Sequence, residues 1–229
     1  MQSKVAKNLL EGVETGNGRV LTEYESKKIF RAAGIPVTEE ILAETIEDAI
    51  AAGAKIGYPL VLKISSPDVR HKSDFGGVYV GLRDEAELEL AASNIREQAL
   101  AEGIEFAFLV QEMAEAGQEL LVGSKRDPTF GPALIFGLGG VFTEILDDVS
   151  IRIPPIDREE ARRMVREIRG APVLDGFRGM PPLDIEAIID VILKVATIME
   201  TYEAITELDI NPLLGYERGV LAVDGLIVL

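Results

Sequence analysis

A lysine, the single histidine and a pair of glycines stand close together in the segment PLVLKISSPDVRHKSDFGGVYVGL. Lys63 lies in an apolar stretch whose alternation predicts a β-strand, and Gly76-Gly77 precedes a second alternating stretch. The segment between them is polar and rich in turn-forming residues and cations. Such a loop offers backbone N–H groups, hydroxyls and positive charges, which are the groups that hold phosphate oxygens. The sequence therefore predicts a hairpin whose loop, including His71, covers an anion.

Each of these residues also has an ordinary structural interpretation. A lysine in a strand is commonly a side chain on an exposed face, and a glycine pair marks many hairpins. An imidazole nitrogen is a competent nucleophile for phosphorus, so His71 is a candidate phosphoryl acceptor. A lone loop histidine is also commonly a solvated residue. The residue types alone leave both interpretations open.

A possible metal site lies in the last two predicted strands, which are separated by the turn sequence GYERG. A turn centred between Glu217 and Arg218 places Asn211 opposite Asp224, with Cβ atoms about 4.5–5.5 Å apart. Asp209 shares that face of the sheet because side chains alternate along a strand. An amide oxygen and a carboxylate at this distance suit Mg²⁺, which takes few protein oxygens and completes its shell with phosphates. Asn-Pro and Asp-Gly are also common in turns and bulges, so this alternative remains.

Other polar groups occur where predicted strands begin or end. Glu112 and Glu119 could accept hydrogen bonds from ribose hydroxyls or an exocyclic amine, or could be solvated strand ends. The run from Gly139-Gly140 to Glu144 could hold an anion with its amides, or could be only a turn. Arg178, in GFRG, could meet a phosphate or an interface carboxylate, or could have an ordinary role in a loop.

The elements that must position these groups follow from periodicity and caps. Helices are predicted at 4–15, 22–34, 45–57, 84–102, 157–169 and 184–202. Strands are predicted at 35–43, 60–65, 78–82, 106–113, 119–125, 133–138, 150–154, 204–214 and 220–229, with a Pro/Gly loop at 170–183. The mixture of helices and hairpins predicts an α+β (α/β) fold with many antiparallel neighbours.

Composition narrows the classes of partner. The chain has 23 Lys and Arg against 39 Asp and Glu, a formal net charge of −16. This excess argues against a nucleic-acid groove, which needs stripes of cations, but not against a small nucleotide. No apolar run approaches the roughly 20 residues that span a bilayer, so no membrane is expected. The absence of cysteine and of a signal-like start fits a cytoplasmic location.

Several motifs in order resemble the ATP-grasp domain of NDP-forming acyl-CoA synthetases, relatives of succinyl-CoA synthetase. They are YESKKIFRAAGIPV, GYPLVLKISSPDVRHKSDFGGV, VQEM with GQELLVG, FGLGGVFTEILDDVSIRIPPI, VLDGFRG, and ELDINPL with AVDGLI. The resemblance runs from about Leu21 to the end and is strongest to the small β subunit of the ADP-forming acetyl-CoA synthetases. It implies a lead-in at 1–20, an N-terminal lobe at 21–111 and a C-terminal lobe at 112–229, with the nucleotide held between two α+β lobes.

The resemblance also implies roles for individual residues. Lys63 would contact the nucleotide, and the Gly76-Gly77 loop would cover its phosphates. The remaining implied assignments are Glu112 and Met113 in the adenine and ribose pocket, Glu119 on the ribose, and Asn211 with Asp224 on Mg²⁺.

The implied reaction is acyl-CoA + ADP + phosphate = acid + CoA + ATP, through a phosphohistidine on a partner. No CoA-binding glycine fingerprint is present in this sequence, so an α subunit would supply the CoA site, the acid site and that histidine, as an α2β2 assembly. His71 would then be a second relay station. Two alternatives remain: an ATP-grasp carboxylate–amine ligase, and a non-catalytic nucleotide-binding regulatory module.

Overall fold

The structure is a computed structural model of the chain and describes residues 18–69, 72, 74–140, 147–177 and 179–229. The helices are α1 (Glu23–Ala32), α2 (Ile46–Ile56), α3 (Glu85–Glu102), α4 (Arg158–Glu167), α5 (Ala171–Leu174) and α6 (Ile185–Thr201). The strands are β1 (Glu40–Ala43), β2 (Leu60–Ser65), β3 (Val78–Leu82), β4 (Ala107–Glu112), β5 (Gln118–Asp127), β6 (Gly131–Leu138), β7 (Val149–Arg152), β8 (Glu207–Gly215), β9 (Val220–Ala222) and β10 (Leu226–Val228).

Two antiparallel sheets organise these elements, as the α+β prediction required. One sheet has the strand order β1-β4-β2-β3, and the other has the order β10-β8-β5-β6-β7 with β9 paired to β8. Each sheet has its own apolar core. In the first, Leu62 and Ile64 of β2 pack with Leu88 and Ile95 of α3. In the second, buried residues of α4 and α6 pack with the inner faces of β5, β6 and β8.

The chain divides into two compact units, and the division differs from the predicted lobes. The smaller unit is Thr38–Glu115, and the larger unit joins residues up to Val37 to Ala116–Leu229. The segment assigned to the start of the first lobe therefore belongs with the C-terminal half. Its hydrogen bonds explain why: Leu21 N donates to Ile227 O at 2.9 Å, and Ala222 N donates to Pro36 O at 2.9 Å.

Capping residues fix the starts of three helices at the predicted positions. Thr22 and Glu25 form the expected capping box at the start of α1. Thr45 and Asp84 accept backbone hydrogen bonds at the starts of α2 and α3. The α3 helix ends at Gly103, whose φ of 69° is the left-handed conformation that favours glycine.

Two local predictions were wrong. The segment 170–183 was expected to be a loop throughout, but it contains the short helix α5. The last strand was expected to run unbroken over 220–229, but it is interrupted between Ala222 and Leu226. The helix predicted at 4–15 lies outside the described residues. Among the helices that the structure does describe, none combines the length and hydropathy that a bilayer-crossing segment needs.

Candidate functional site

Lys63 occupies the middle of β2, between the neighbouring strands β3 and β4. Its register partners are Val78 and Leu109. Because Leu62 and Ile64 face the helices of the smaller unit, Lys63 lies on the opposite face of the sheet. It is only 4% exposed, so the interpretation as a lysine on an exposed strand face is wrong. A buried ammonium is stable only where partners compensate its lost hydration, which is consistent with an anion site.

The glycine pair that follows the loop has a role beyond supplying amides. Gly77 N donates to Lys72 O at 2.8 Å, and Gly77 O accepts from Ile64 N at 2.8 Å. A Cβ on Gly77 would lie 2.4 Å from Ile64 Cγ2, so β2 leaves room only for glycine here. Gly76 has a φ of 72°, in the left-handed region. Gly77 therefore closes the loop onto β2, while the loop residue His71 lies outside the described residues.

Glu112 ends β4, and its side chain is already engaged. Its carboxylate accepts from Glu39 N at 2.8 Å, and its own N–H donates to Glu39 O at 2.9 Å. Glu112 pairs with Leu60 in the register, so it faces the helix side rather than the Lys63 side. It lines a cavity of about 330 Å³ together with Lys55 and Ile56. Any contact of Glu112 with a ligand on the Lys63 face would therefore use its backbone.

Gln111 is the residue of this strand end that shares the Lys63 face. It pairs with Val61 in β2 and Glu40 in β1, and it is completely buried. Met113, two residues further along the chain, is 41% exposed. Gln111 is not among the residues predicted from the sequence. The alternation along VQEM could have indicated its face, but burial of a polar side chain there depends on tertiary packing.

Glu119 and the glycine turn, which the sequence treats separately, are neighbours in the larger unit. Gly139 N donates to Glu119 O at 2.9 Å. A Cβ on Gly139 would lie 3.0 Å from Glu119 Cβ, and one on Gly140 would lie 3.5 Å from Glu119 Oε2. The backbone of the turn thus passes directly over an exposed carboxylate. Residues 141–146 and Arg178 lie outside the described residues.

The predicted pairing of Asn211 with Asp224 agrees with the register on both sides of it. On the turn side Leu213 pairs with Ala222, and on the other side Asp209 pairs with Leu226. Counting inward from either ladder brings Asn211 opposite Asp224. Val223 N also donates to Pro212 O at 3.1 Å, which holds the two chains together beside this pair. The turn position predicted from GYERG is confirmed.

A β-bulge forms at Asn211. Leu120 pairs with Leu213 and Val122 pairs with Ile210, so Asn211 and Pro212 together face the single residue Leu121. The alternative interpretation of Asn-Pro as a bulge element is thus also correct. Bulges redirect side chains and are frequent beside functional sites. Asn211 is exposed, and its neighbour Ile210 is buried in the core.

Carboxylates concentrate negative charge on this part of the sheet. Burial, followed by repulsion from Glu207 and Asp224, raises the pKa of Asp209 to about 6. Asp209 also lies over Gly123, where a Cβ would be 3.1 Å from its Oδ1. Asp224 Oδ1 accepts from Gly225 N at 2.7 Å. A cation bound here would relieve the repulsion between these carboxylates.

The hairpin that carries these residues is tethered at its turn. Asp184, the N-cap of α6, accepts from Ala187 N at 3.1 Å and from Gly219 N at 2.9 Å. Its own N–H donates to Tyr216 O at 2.8 Å. The hydrogen bond from Gly219 N, followed by that from Ala187 N, lowers the pKa of the Asp184 carboxyl. The register of the β8–β9 hairpin is therefore fixed by a helix N-terminus as well as by its ladder.

The donor set fits Mg²⁺ held partly by a ligand. Within the described part of the chain, no group of three or more His, Cys, Asp and Glu side chains is arranged to hold a metal ion. An Asn oxygen and one carboxylate are enough for Mg²⁺ only when phosphate oxygens and water complete its octahedral shell. The site thus has the composition expected of a metal–nucleotide site rather than of a metal site formed by protein alone.

Known proteins are similar to this chain in sequence and in fold. An ATP-grasp domain model matches residues 12–229. The chain is 42% identical to the β subunit of acetate–CoA ligase [ADP-forming] I from Pyrococcus furiosus, covering 98% of this chain and 97% of that one. It is also 42% identical to acetate–CoA ligase [ADP-forming] I from Archaeoglobus fulgidus, covering all of this chain but 34% of that longer protein.

Solved structures of acetyl-coenzyme A synthetase 1 from Ca. Korarchaeum cryptofilum have the same fold. One, with coenzyme A and Ca-AMPCP, has a TM-score of 0.93, 44% identity and coverage of 97% and 98% of the two chains. Another, with coenzyme A and Mg-AMPPCP, has a phosphohistidine segment that points towards the nucleotide-binding site. Its TM-score is 0.85, with 42% identity over 98% of this chain and 99% of the other. This chain therefore belongs to the ATP-grasp family, among the β subunits of the ADP-forming acetate–CoA ligases.

Proposed function

We propose that this chain is the nucleotide-binding β subunit of an ADP-forming acyl-CoA synthetase, with acetyl-CoA as the first acyl-CoA to test. It transfers a phosphoryl group between a phosphohistidine and ADP in the reaction acyl-CoA + ADP + phosphate = acid + CoA + ATP. In this step the phosphoryl group leaves the histidine nitrogen and becomes the terminal phosphate of ATP. The observation that carries the proposal is the register that brings Asn211 opposite Asp224.

Magnesium is the cofactor that this pair of residues fits. The Asn211 side-chain oxygen and the Asp224 carboxylate would hold Mg²⁺, and the nucleotide phosphates would complete its shell. The carboxylates around Asp209 would repel a phosphate that carries no cation. A phosphate bound to Mg²⁺ would be repelled less, because the cation offsets its negative charge. The Korarchaeum structure with Mg-AMPPCP supports the same combination of metal and nucleotide.

The remaining roles in phosphoryl transfer would fall to the other candidate residues. Such transfer depends on positioning and on neutralised oxygens more than on covalent chemistry by the protein. Lys63 would contact the phosphates, and the loop that ends at Gly76-Gly77 would cover them. Met113 would pack against the base while Glu112 contributes backbone groups. Glu119, beneath the glycine turn, would accept from the ribose.

The partner supplies what this chain does not. We propose an α subunit that binds coenzyme A and the acid and carries the phosphohistidine, in an α2β2 complex. The longer Archaeoglobus relative, of which this chain covers a third, supports a second portion joined to the same reaction. The name of the Pyrococcus relative as a β subunit supports a separate partner chain. His71 would be a second, transient phosphoryl acceptor.

The test is phosphoryl transfer from γ-labelled ATP with Mg²⁺, using wild type and His71→Ala, each alone and with the α subunit. The proposal expects acid-labile, base-stable label on the partner, with ATP formed when acetyl-CoA, ADP and phosphate are supplied. Label on the wild-type chain that disappears in His71→Ala would support the second relay. Label on the partner alone, equal for both chains, would retain the β-subunit role and overturn the relay.

Two outcomes would overturn the proposed function itself. Mg²⁺-dependent nucleotide binding without any labelled protein, even with the partner present, would indicate a regulatory module. Acyl phosphate formed directly from ATP without a labelled histidine would indicate a carboxylate–amine ligase. Wild-type chain denatured and refolded without Mg²⁺ would serve as the control for non-specific labelling.

A further inference from the structure

The loop between β2 and β3, residues 66–77, is the one proposed to cover the phosphates. Polar side chains attach each of its two ends to the smaller unit, in addition to the hydrogen bonds of Gly77. At the end of the loop that enters β3, Gln98 of α3 donates its side-chain N–H to Phe75 O. At the end of the loop that leaves β2, the Ser66 hydroxyl donates to Glu105 O at 2.6 Å. Glu105 lies in the connection between α3 and β4, so both attachments lead to one stretch of chain.

The Gln98 contact acts on the glycine corner itself. An ideal Cβ on Gly76 would lie 3.3 Å from Gln98 Oε1, so the amide group packs directly against Gly76. The Phe75 side chain packs against the apolar core of the smaller unit. This packing fixes the position of the Phe75 carbonyl, which accepts the hydrogen bond from Gln98. Gly77 then closes onto β2 through its bonds to Lys72 and Ile64. The amide of Gln98 thus orients the two residues that join the loop to β3.

The Ser66 contact performs the same task at the other end. Ser66 is 7% exposed, and its hydroxyl also accepts from Asp68 N at 3.3 Å. Val69 packs against the same apolar core as Phe75. A hydroxyl that donates in one direction and accepts in the other fixes the turn that leaves β2, three residues after Lys63. The two ends of the loop are therefore held before any ligand arrives.

We propose that Gln98 and Ser66 are positioning residues for nucleotide phosphate, acting through the loop and not by touching the ligand. The inference rests on the proposed function, since it assigns these side chains to the phosphate end of that site. A loop whose two ends are already held loses less conformational entropy when it covers a ligand, so its anchors strengthen binding. Their loss weakens nucleotide binding and leaves binding at the acyl-CoA site unchanged.

The experiment uses the chain in complex with its α subunit and four variants. Gln98→Met keeps the length of the side chain but removes its donor, and Ser66→Ala removes the hydroxyl. The third variant combines both. The control is Asn94→Leu, which replaces an exposed amide on the same helix α3 by an apolar group of similar shape.

Two readouts separate positioning from simple destabilisation. The first is amide hydrogen exchange at Gly77, whose N–H is bonded within the loop, measured without nucleotide. The second is the dissociation constant for Mg-ADP, together with the KM values for ADP and acetyl-CoA. Loss of one such hydrogen bond is expected to speed Gly77 exchange and weaken Mg-ADP binding by about five-fold each. The KM for acetyl-CoA and the melting temperature of the control should stay unchanged.

Each outcome decides between the possibilities. Faster exchange with unchanged Mg-ADP affinity would overturn the proposal, because the anchors would then hold the loop without serving the ligand. Unchanged exchange in the double variant would also overturn it. A failure of wild type to bind Mg-ADP would refute the proposed function instead, while Gly77 exchange would still report whether the anchors order the loop. If Gln98→Met does not fold, Ser66→Ala tests the same prediction from the other end.

Discussion

Replacement of Gly77 by alanine tests the geometry of the loop most directly. The added Cβ would lie 2.4 Å from Ile64 Cγ2 and 3.1 Å from both Ile64 Cβ and Phe75 Cδ1. The obstacle is the β-branched part of Ile64 in β2, which cannot rotate away without leaving its rotamer. Overpacking of this kind costs about 1–3 kcal/mol, and we expect about 2 kcal/mol here.

The assay is thermal unfolding of wild type, Gly77→Ala, Ile64→Leu and the double variant. A loss of about 2 kcal/mol lowers the melting temperature of a chain this long by about 4–8 °C. Leucine lacks the Cγ2 methyl of isoleucine, so Ile64→Leu should restore about 1 kcal/mol to Gly77→Ala, a coupling measured by the double-mutant cycle. Gly77→Ala is also expected to weaken Mg-ADP binding, since the loop must move away from β2.

Two results would refute this reasoning. A free energy of unfolding for Gly77→Ala within about 0.5 kcal/mol of wild type would show that the loop adapts without cost. An additive double variant, with no recovery from Ile64→Leu, would show that the cost arises elsewhere than at Cγ2.

Three further predictions concern the larger unit. Asn211→Ala or Asp224→Ala should weaken Mg²⁺-dependent nucleotide binding in calorimetry while circular dichroism stays unchanged; unaltered affinity in both would contradict the metal assignment. Arg126→Met should lower the free energy of unfolding by about 2–3 kcal/mol, because the guanidinium donates to three carbonyls at and beyond the end of α6; an equal denaturation midpoint would contradict this. Hydrogen bonds from Gly219 and Ala187 lower the pKa of Asp184 in the folded protein. The ionised carboxylate therefore stabilises the fold fully above its ordinary pKa of 3.8, and this contribution is lost as pH falls through the lower folded pKa. Asp184→Asn should reduce this dependence of the free energy of unfolding on acid pH.

The sequence predicted most of the elements because their signals are local. The capping box at Thr22 and the apolar stripes of α3 and α6 need only neighbouring residues. The same holds for the β8–β9 register, since GYERG fixes the turn centre and pairing follows from it. The α5 turn escaped notice because Pro172 at its start and Gly170 before it are also typical of loops.

Features that depend on tertiary packing were not available from the sequence. Nothing local in PLVLKIS shows that Lys63 is buried, because burial depends on what covers that face of the sheet. The two anchors of the loop, Ser66 and Gln98, come from distant positions and were both missed as such. The loop was expected to offer backbone N–H groups to an anion, but the N–H of Gly77 is bonded to Lys72 O, which only the folded loop reveals. The unit to which residues 21–37 belong is likewise decided by contacts with β9 and β10.

The division of the larger unit along the chain has a consequence for its biosynthesis. The smaller unit is contiguous and can fold as soon as Glu115 has left the ribosome, whereas α1 must wait for β9 and β10, which follow every other described element along the chain. At about 5–20 residues per second, the roughly 190 residues between Val37 and the final strand take about 10–40 s to translate. Throughout this interval Ile29 and Phe30 of α1, both buried in the finished molecule, have no strand to cover them. Nascent chains of this protein should therefore bind holdase chaperones through α1 until β10 is made.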